Sequence, residues 1–355
     1  MTPLRIVILG LTITSSWGNG HATTYRGLVR ELDARGHDVT FLERDVPWYA
    51  EHRDLSEPPY GRTELYADLN DLKRRFGDAV QGADAVIVGS YVPEGVAVGE
   101  WVTAYATGAT AFYDIDTPIT LARLEGGGLE YLNRELIPRY RLYLSFTGGP
   151  TLERLEREFG APVARPLYCS VDPAVHRPDD GEVRWDMGYL GTYSDDRQSG
   201  LERLMLDVAR DARRRRFVVA GPQYPASLRW PDTVERIEHV PPERHRWFYG
   251  AQRFTLNITR DDMKRAGYAP SVRLFEAAAC GVPVVSDDWP GLETFFRPGE
   301  EILVSDGPDA TRRYLDELSE TERLALAARA RAHVLAHHTS ARRAAELEGF
   351  LREVM

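Results

Sequence analysis

Short apolar runs alternate with amphipathic stretches along almost the whole chain, and this rhythm restricts the fold more than any other feature of the sequence. Leu4-Arg5-Ile6-Val7-Ile8-Leu9-Gly10 reads as a strand, His21 to Arg35 as a helix, and Asp38-Val39-Thr40-Phe41-Leu42-Glu43 as a second strand, with Gly36-His37 stopping the helix between them. Two strands joined through a helix run parallel, and a parallel sheet needs helices on both of its faces. The alternation continues with strand-like runs at Ala85-Gly89, Ala109-Tyr113, Leu142-Phe146 and Pro162-Leu167. A segment rich in proline, aspartate and charge follows, from Asp172-Pro173 to Glu182, after which the rhythm restarts at Met187-Gly191 and Phe217-Gly221. Further strands are expected at Phe254-Asn257, Pro283-Ser286 and Glu301-Val304, and the chain is nearly all helical from about Pro308, with Ser319 and Thr339 placed as N-caps.

At 355 residues the chain suits two domains rather than one core. The expectation is an α/β protein of two Rossmann-like domains with parallel sheets facing across a central cleft: residues 1–170, a linker at 171–184, a second domain at 185–338, and a last helix at 339–355 packing back towards the first. A composition of 43% hydrophobic and 28% charged residues is that of a globular protein. No window reaches the roughly 18–20 apolar residues of a spanning helix, and Met1-Thr2-Pro3-Leu4-Arg5 leads straight into a strand without a signal-peptide pattern, so a cytoplasmic location is expected. Cys169 and Cys280 have no partner at metal-ligand spacing and read as packing residues. A net charge of −10 argues against a general nucleic-acid partner, and the run Arg213-Arg214-Arg215-Arg216 reads as a complement to a helix dipole.

Open α/β sheets bind ligands at the carboxyl ends of their strands, so the loops there carry the functional reading. Ser15 to His21 includes Gly18 and Gly20 in a turn whose backbone N–H groups suit an anionic or hydroxylated ligand, or form an ordinary tight turn. Its glycines do not complete the G-x-G-x-x-G fingerprint, since Thr23 stands at the third place, which disfavours a dinucleotide. In Asp114-Ile115-Asp116-Thr117-Pro118, strand alternation turns both carboxylates the same way, for holding or deprotonating a hydroxyl; alternatively Asp116 or Thr117 caps the next helix. The segment 269–286 is the most specific. Ser271 caps a short helix whose free N–H groups suit a diphosphate, while Arg273 and Glu276, three apart, suit phosphate and ribose, or else pair with each other.

This segment resembles the donor-binding segment of GT-B glycosyltransferases, specifically retaining family 4 and the CgeB-like (spore maturation protein) group. Ser16-Trp17-Gly18-Asn19-Gly20-His21, Asp114-Ile115-Asp116-Thr117-Pro118, Gly191-Thr192-Tyr193-Ser194-Asp195-Asp196-Arg197-Gln198 and Arg253-Phe254-Thr255-Leu256-Asn257 are similar to that group as well, so most of the chain is covered. The resemblance implies a donor site that includes Gly18, Gly20, Thr192, Arg197, Ser271, Arg273, Leu274 and Glu276. Glu276 matches the second glutamate of the family's motif of two glutamates separated by seven residues, which contacts ribose; Tyr268 stands where the first, sugar-contacting glutamate would be. Glu293 resembles the glutamate that closes this region, and Gly221 and Val240 fall in the loops that usually hold the nucleobase. Implied is transfer of a sugar, with retention and without metal or cofactor, from a nucleoside-diphosphate sugar to an acceptor hydroxyl on a polysaccharide, natural product or protein. His21, Asp114 and Asp116 would bind the acceptor or steer its proton. A non-catalytic scaffold of the same fold, or a nucleotide-sugar epimerase or hydrolase, is the alternative.

Overall fold

The computed structural model describes residues 2–355. The chain divides into two compact units, Met1–Cys169 with Ser340–Met355, and Ser170–Thr339. The segment from 170 to 184 thus belongs to the second unit.

In the first unit, β1 (Arg5–Gly10), β2 (Asp38–Arg44), β3 (Arg62–Tyr66), β4 (Ala85–Gly89), β5 (Ala109–Asp114), β6 (Leu142–Ser145) and β7 (Ala164–Pro166) form one sheet in the order β3-β2-β1-β4-β5-β6-β7. Every ladder in it is parallel. Strand alternation sorts its side chains into two cores. Val7, Leu9, Val86, Val88 and Phe112 lie in one, and Ile6, Ile8, Ile87 and Ala111 in the other. Tyr25, Leu28 and Leu32 of helix His21–Ala34 cover the second core together with Ala344, Leu347 and Leu351 of helix Ser340–Val354. The last helix is therefore part of the first unit's core.

The second unit repeats the plan with β8 (Trp185–Leu190), β9 (Phe217–Ala220), β10 (Val234–Ile237), β11 (Gln252–Asn257), β12 (Val284–Ser286) and β13 (Leu303–Val304), in the order β10-β9-β8-β11-β12-β13 and again all parallel. In both sheets the strand order reverses beside the first strand, between β1 and β4 and between β8 and β11. Such a reversal opens a crevice outside the strands' carboxyl ends.

Two strands escape the sequence reading, β3 (RTELY) and β10 (VERI), and both are sheet edges. An edge strand has only one strand neighbour and is half exposed, so its residues need not be apolar. The arginine run also differs from expectation. The preceding helix ends at Asp211, and Arg215 bonds Asp186, the Leu315 carbonyl and Asp316 instead of the helix's last turn. Cys169 and Cys280 are buried and not joined by a disulfide, and burial pushes the Cys280 thiol up to about 12. Among the described residues no helix is long and apolar enough to cross a membrane.

Candidate functional site

At the strand-order reversal of the second sheet, the loops after β8, β9 and β11 meet the helix Val272–Ala279. Gly221 closes the turn after β9 with φ +147°, and a Cβ there would overlap the Gly191 carbonyl oxygen, so only glycine lets the two loops touch. The Gly191 N–H donates to the Ala220 carbonyl at 2.8 Å, the Tyr193 N–H to Pro222 at 3.0 Å, and the Tyr224 hydroxyl to Gly191 at 3.1 Å. Thr192 is fixed within this pair of loops and receives the Arg197 Nη2 donor on its carbonyl at 2.7 Å.

Arg273 reaches back from the helix to the same place. Its Nε donates to the Leu190 carbonyl at 2.6 Å and its Nη1 to Asn257 Oδ1 at 2.9 Å, and the guanidinium lies 4.9 Å from the centre of the Tyr189 ring. The residue is only 7% exposed. Arg197 is half-buried, with an enclosed Nε that has no hydrogen-bond partner. Burial above all, with the charges of Arg273 and Arg260, holds its guanidinium below the ordinary arginine value. Neither Arg197 nor Arg273 pairs with a carboxylate among the described residues, whereas Arg260 bonds Asp196 at 3.2 Å and Lys264 pairs with Asp287 at 3.0 Å. Ser271 stands at the N-cap position, but its side chain makes no capping bond; its hydroxyl faces Arg273 Nη1 at 3.4 Å.

The expected donor residues do not all share this place. Leu274 is fully buried, so its side chain belongs to the core, and its N–H donates to the Ser271 carbonyl. Arg273 and Glu276 are not paired with each other. Glu276 is 4% exposed and turns to other side chains of its own unit: Tyr249 donates to its Oε2 at 3.0 Å, His176 Nε2 lies 3.6 Å from Oε1, and His245 Nδ1 lies 3.8 Å from Oε2. Burial raises this carboxyl, but the two histidines, then Tyr249 and Arg273, bring it below its ordinary value. Tyr249 thus occupies Oε2, while Oε1 faces His176 and accepts no hydrogen bond among the described residues. Tyr268 adopts φ +51° and lays its ring against Gly291, and its N–H donates to Pro290. Glu293 is exposed on a short 3-10 turn. Val240 is buried, its carbonyl facing His245 Nε2 at 3.2 Å.

In the first unit, the loop after β1 is anchored by Glu43 at the end of β2. This carboxylate is fully enclosed and accepts from the N–H groups of Ile13 and Thr14 and the hydroxyls of Thr12 and Thr14. Gly18 and Gly20 lie further along this loop, and the Asn19 side chain caps the next helix by accepting from the Ala22 N–H at 3.1 Å. His21, the first helical residue, is buried with Nδ1 unpartnered, and its ring meets Tyr91 edge-on at 5.3 Å. Desolvation holds His21 below its ordinary value, against the pull of Asp116. Asp116 is half-buried and accepts from the Tyr91 hydroxyl at 3.1 Å; it occupies the N-cap position without a side-chain capping bond. Asp114 differs from expectation. It is fully enclosed, bonded by Tyr143 at 2.6 Å and Thr120 at 2.8 Å, and desolvation raises it to about 6. Of the two carboxylates, only Asp116 is open to a substrate hydroxyl.

Sequence reasoning passes over Tyr91, His176, His245 and Tyr249. Tyr91 carries a signal in its position shortly after β4, the strand across the order reversal from β1. The two histidines carry none, because they are far apart in the chain from each other and from Glu276, and a lone histidine reads as an ordinary core residue.

Two doubly wound parallel sheets in sequence define the GT-B fold, and solved structures of that fold match the chain end to end. Sucrose-phosphate synthase from Thermosynechococcus elongatus is 15% identical, with 99% of each chain covered and a TM-score of 0.69. HepE from Anabaena, solved with UDP and glucose, is 10% identical, with 99% of this chain and 100% of that chain covered and a TM-score of 0.70. An α-glucosyltransferase solved with UDP and a 13-mer DNA containing a HMU base is 14% identical, with 99% and 100% covered and a TM-score of 0.73. Residues 197–349 match the family model described as glycosyl transferase-like. No curated protein sequence matches the chain.

Proposed function

We propose that the protein is a glycosyltransferase that takes a sugar from a nucleoside-diphosphate donor and passes it to an acceptor hydroxyl. One observation carries the reading: Arg273 is buried and Arg197 half-buried at the carboxyl end of β8, beside a helix N-terminus, and neither forms an ion pair with a carboxylate among the described residues. Buried charge without a partner is costly, and a structure retains it where an anion supplies the partner. Two guanidiniums and the first N–H groups of a helix suit a diphosphate, and they also stabilise the negative charge that grows on it as the glycosidic bond breaks. The glycosyl transferase-like match and the fold support this class. UDP, found in HepE and in the α-glucosyltransferase, is the first nucleotide to test.

We assign the acceptor hydroxyl to His21 and Asp116. An imidazole held below its ordinary value is neutral and can take a proton, and a half-exposed carboxylate held by Tyr91 can orient the hydroxyl that gives it. Retention, independence of metal and a position in the CgeB-like group follow only from the sequence resemblance and belong to this proposal. Calorimetry tests the donor half. Arg273→Ala and Arg197→Ala should each weaken UDP binding about 10- to 100-fold, the worth of one hydrogen bond to a charged group. Unchanged affinity in a folded variant would remove the assignment. Turnover of a UDP-sugar in the absence of any acceptor would instead indicate hydrolysis or epimerisation.

A further inference from the structure

The cluster that occupies Glu276 has a composition that the transferase reading does not use. His176 lies ahead of β8, His245 begins the helix His245–Gly250, and Glu276 sits in the helix Val272–Ala279, so three separate segments of the second unit converge there. One donor atom from each lies within 4.8 Å of the others. His176 is 2% exposed and neither of its ring nitrogens has a hydrogen-bond partner. His245 Nδ1 is likewise buried and unpartnered. Polar atoms so enclosed are almost always satisfied, and three orphans in one place ask for the group that satisfies them.

The hydrogen-bond pattern says what that group must be. His245 Nε2 faces the Val240 carbonyl at 3.2 Å, so it carries the proton there, and in the neutral ring Nδ1 is left with a bare lone pair. That lone pair stands 3.8 Å from Glu276 Oε2, and His176 Nε2 stands 3.6 Å from Oε1. The His245 lone pair facing a carboxylate is repelled unless a cation lies between them, and His176, whose tautomer no partner fixes, can turn a lone pair to the same place. A backbone carbonyl that fixes a histidine's tautomer so that its other nitrogen faces a metal is a common outer-sphere arrangement. Two ligands about 2.0–2.1 Å from a tetrahedral ion lie roughly 3.3 Å apart; the two histidine–carboxylate separations are a few tenths of an ångström longer and run to different oxygens of Glu276, as for an ion held between the two oxygens.

We infer that His176, His245 and Glu276 form a structural site for a divalent transition-metal ion, with zinc the first to test. Two imidazoles and one carboxylate suit Zn2+ and its first-row neighbours, not Mg2+ or Ca2+, which prefer all-oxygen sets. Its work is to tie the segment ahead of β8 and the helix His245–Gly250 to the helix that carries Arg273, not to activate a substrate. An ion held only in the folded state stabilises that state.

The experiment uses the whole chain, stripped with EDTA, dialysed, and titrated with Zn2+ and separately with Co2+ while melting temperature and the visible d–d absorption of Co2+ are followed. One saturable equivalent per chain is expected, with a raised melting temperature and the intense absorption of low-coordinate cobalt. His176→Gln and His245→Gln, checked for folding by circular dichroism, should each weaken Zn2+ by at least about 10- to 100-fold, the scale that losing even an outer-sphere partner carries. The wild-type titration stands whether or not the variants fold: no saturable binding, or binding without a melting shift, overturns the inference. Binding that survives both variants and is lost in His333→Gln would place the ion at the His333–His337 contact instead, and also overturns it. Arg197 and Arg273 are untouched by these variants, so loss of UDP binding in the arginine variants and loss of metal binding in the histidine variants report separately.

Discussion

Glycine is required at position 221 by both its backbone and its neighbours. Its φ of +147° disfavours any side chain, and the space a Cβ would fill belongs to the Gly191 carbonyl. Backbone strain of this kind costs about 1–3 kcal/mol, and the overlap adds to it, so Gly221→Ala should lose more than about 2 kcal/mol in urea unfolding. Gly349 is the counterexample. It is exposed within the helix Ser340–Val354 with nothing inside 4 Å of a new Cβ, so Gly349→Ala should gain about 0.5–1 kcal/mol. Asp114 allows a test by pH. Its folded value of about 6 lies above the ordinary 3.8, so the folded state binds the extra proton and the group costs stability progressively as pH rises from about 4 to about 6. Asp114→Asn removes the ionisation. Its stability relative to wild type should therefore improve between pH 5 and pH 7.5, by about 1–2 kcal/mol in urea unfolding, since a tenfold change in proton affinity is worth about 1.4 kcal/mol. A difference that stays flat across that range would mean the carboxyl is not desolvated.

Among the elements, the last helix is the one whose placement has the clearest energetic consequence. Leu347 is fully buried against the first sheet's second core, and Glu348 of the same helix accepts from Arg35 at 2.6 Å and from Arg352 at 2.9 Å. Leu347→Ala should cost about 2–5 kcal/mol in urea unfolding, as a core leucine does. If the helix were only an exposed tail, the same change would cost almost nothing. The elements also show how far the sequence can be read. Central strands such as β1, β4 and β8 are legible because burial on both faces demands apolar runs. The edges β3 and β10 are not, since a half-exposed strand obeys no such demand. Within the site, the helix after Ser271, with Arg273 in its first turn, is legible from a run of small residues that ends in a glycine and leads into a buried strand. The direction of Glu276 is not. A spacing of three places two residues on neighbouring parts of a helix surface, but tertiary partners decide where each long side chain goes: Asn257 and Leu190 draw Arg273, while Tyr249, His176 and His245 surround Glu276.

For the whole molecule, a net charge of −10 and a proposed anionic ligand pull in opposite directions, and burial reconciles them. The long-range field repels a nucleoside diphosphate, while the attraction comes from one buried and one half-buried guanidinium. Salt screens these contributions unequally, because the screening length shortens from about 10 Å at 0.1 M to about 3 Å at 1 M for exposed charges and affects enclosed contacts far less. The protein has a second arginine-rich feature that would behave otherwise. At the opposite, amino-terminal end of the second sheet, a groove of about 590 Å³ is lined by Arg213, Arg214, Arg215 and Arg312, with Asp186, Asp211 and Asp316 between them. Arg213 and Arg214 are exposed, and an anion held there would be lost to salt. Raising sodium chloride from about 50 to about 500 mM should therefore change UDP affinity by less than about threefold in calorimetry if Arg197 and Arg273 hold the diphosphate. A fall of about tenfold or more, together with unchanged affinity in Arg273→Ala, would move the ligand to the exposed groove. The same titration with a short duplex DNA should show little binding at the higher salt, since the overall charge offers a polyanion nothing to displace its counterions.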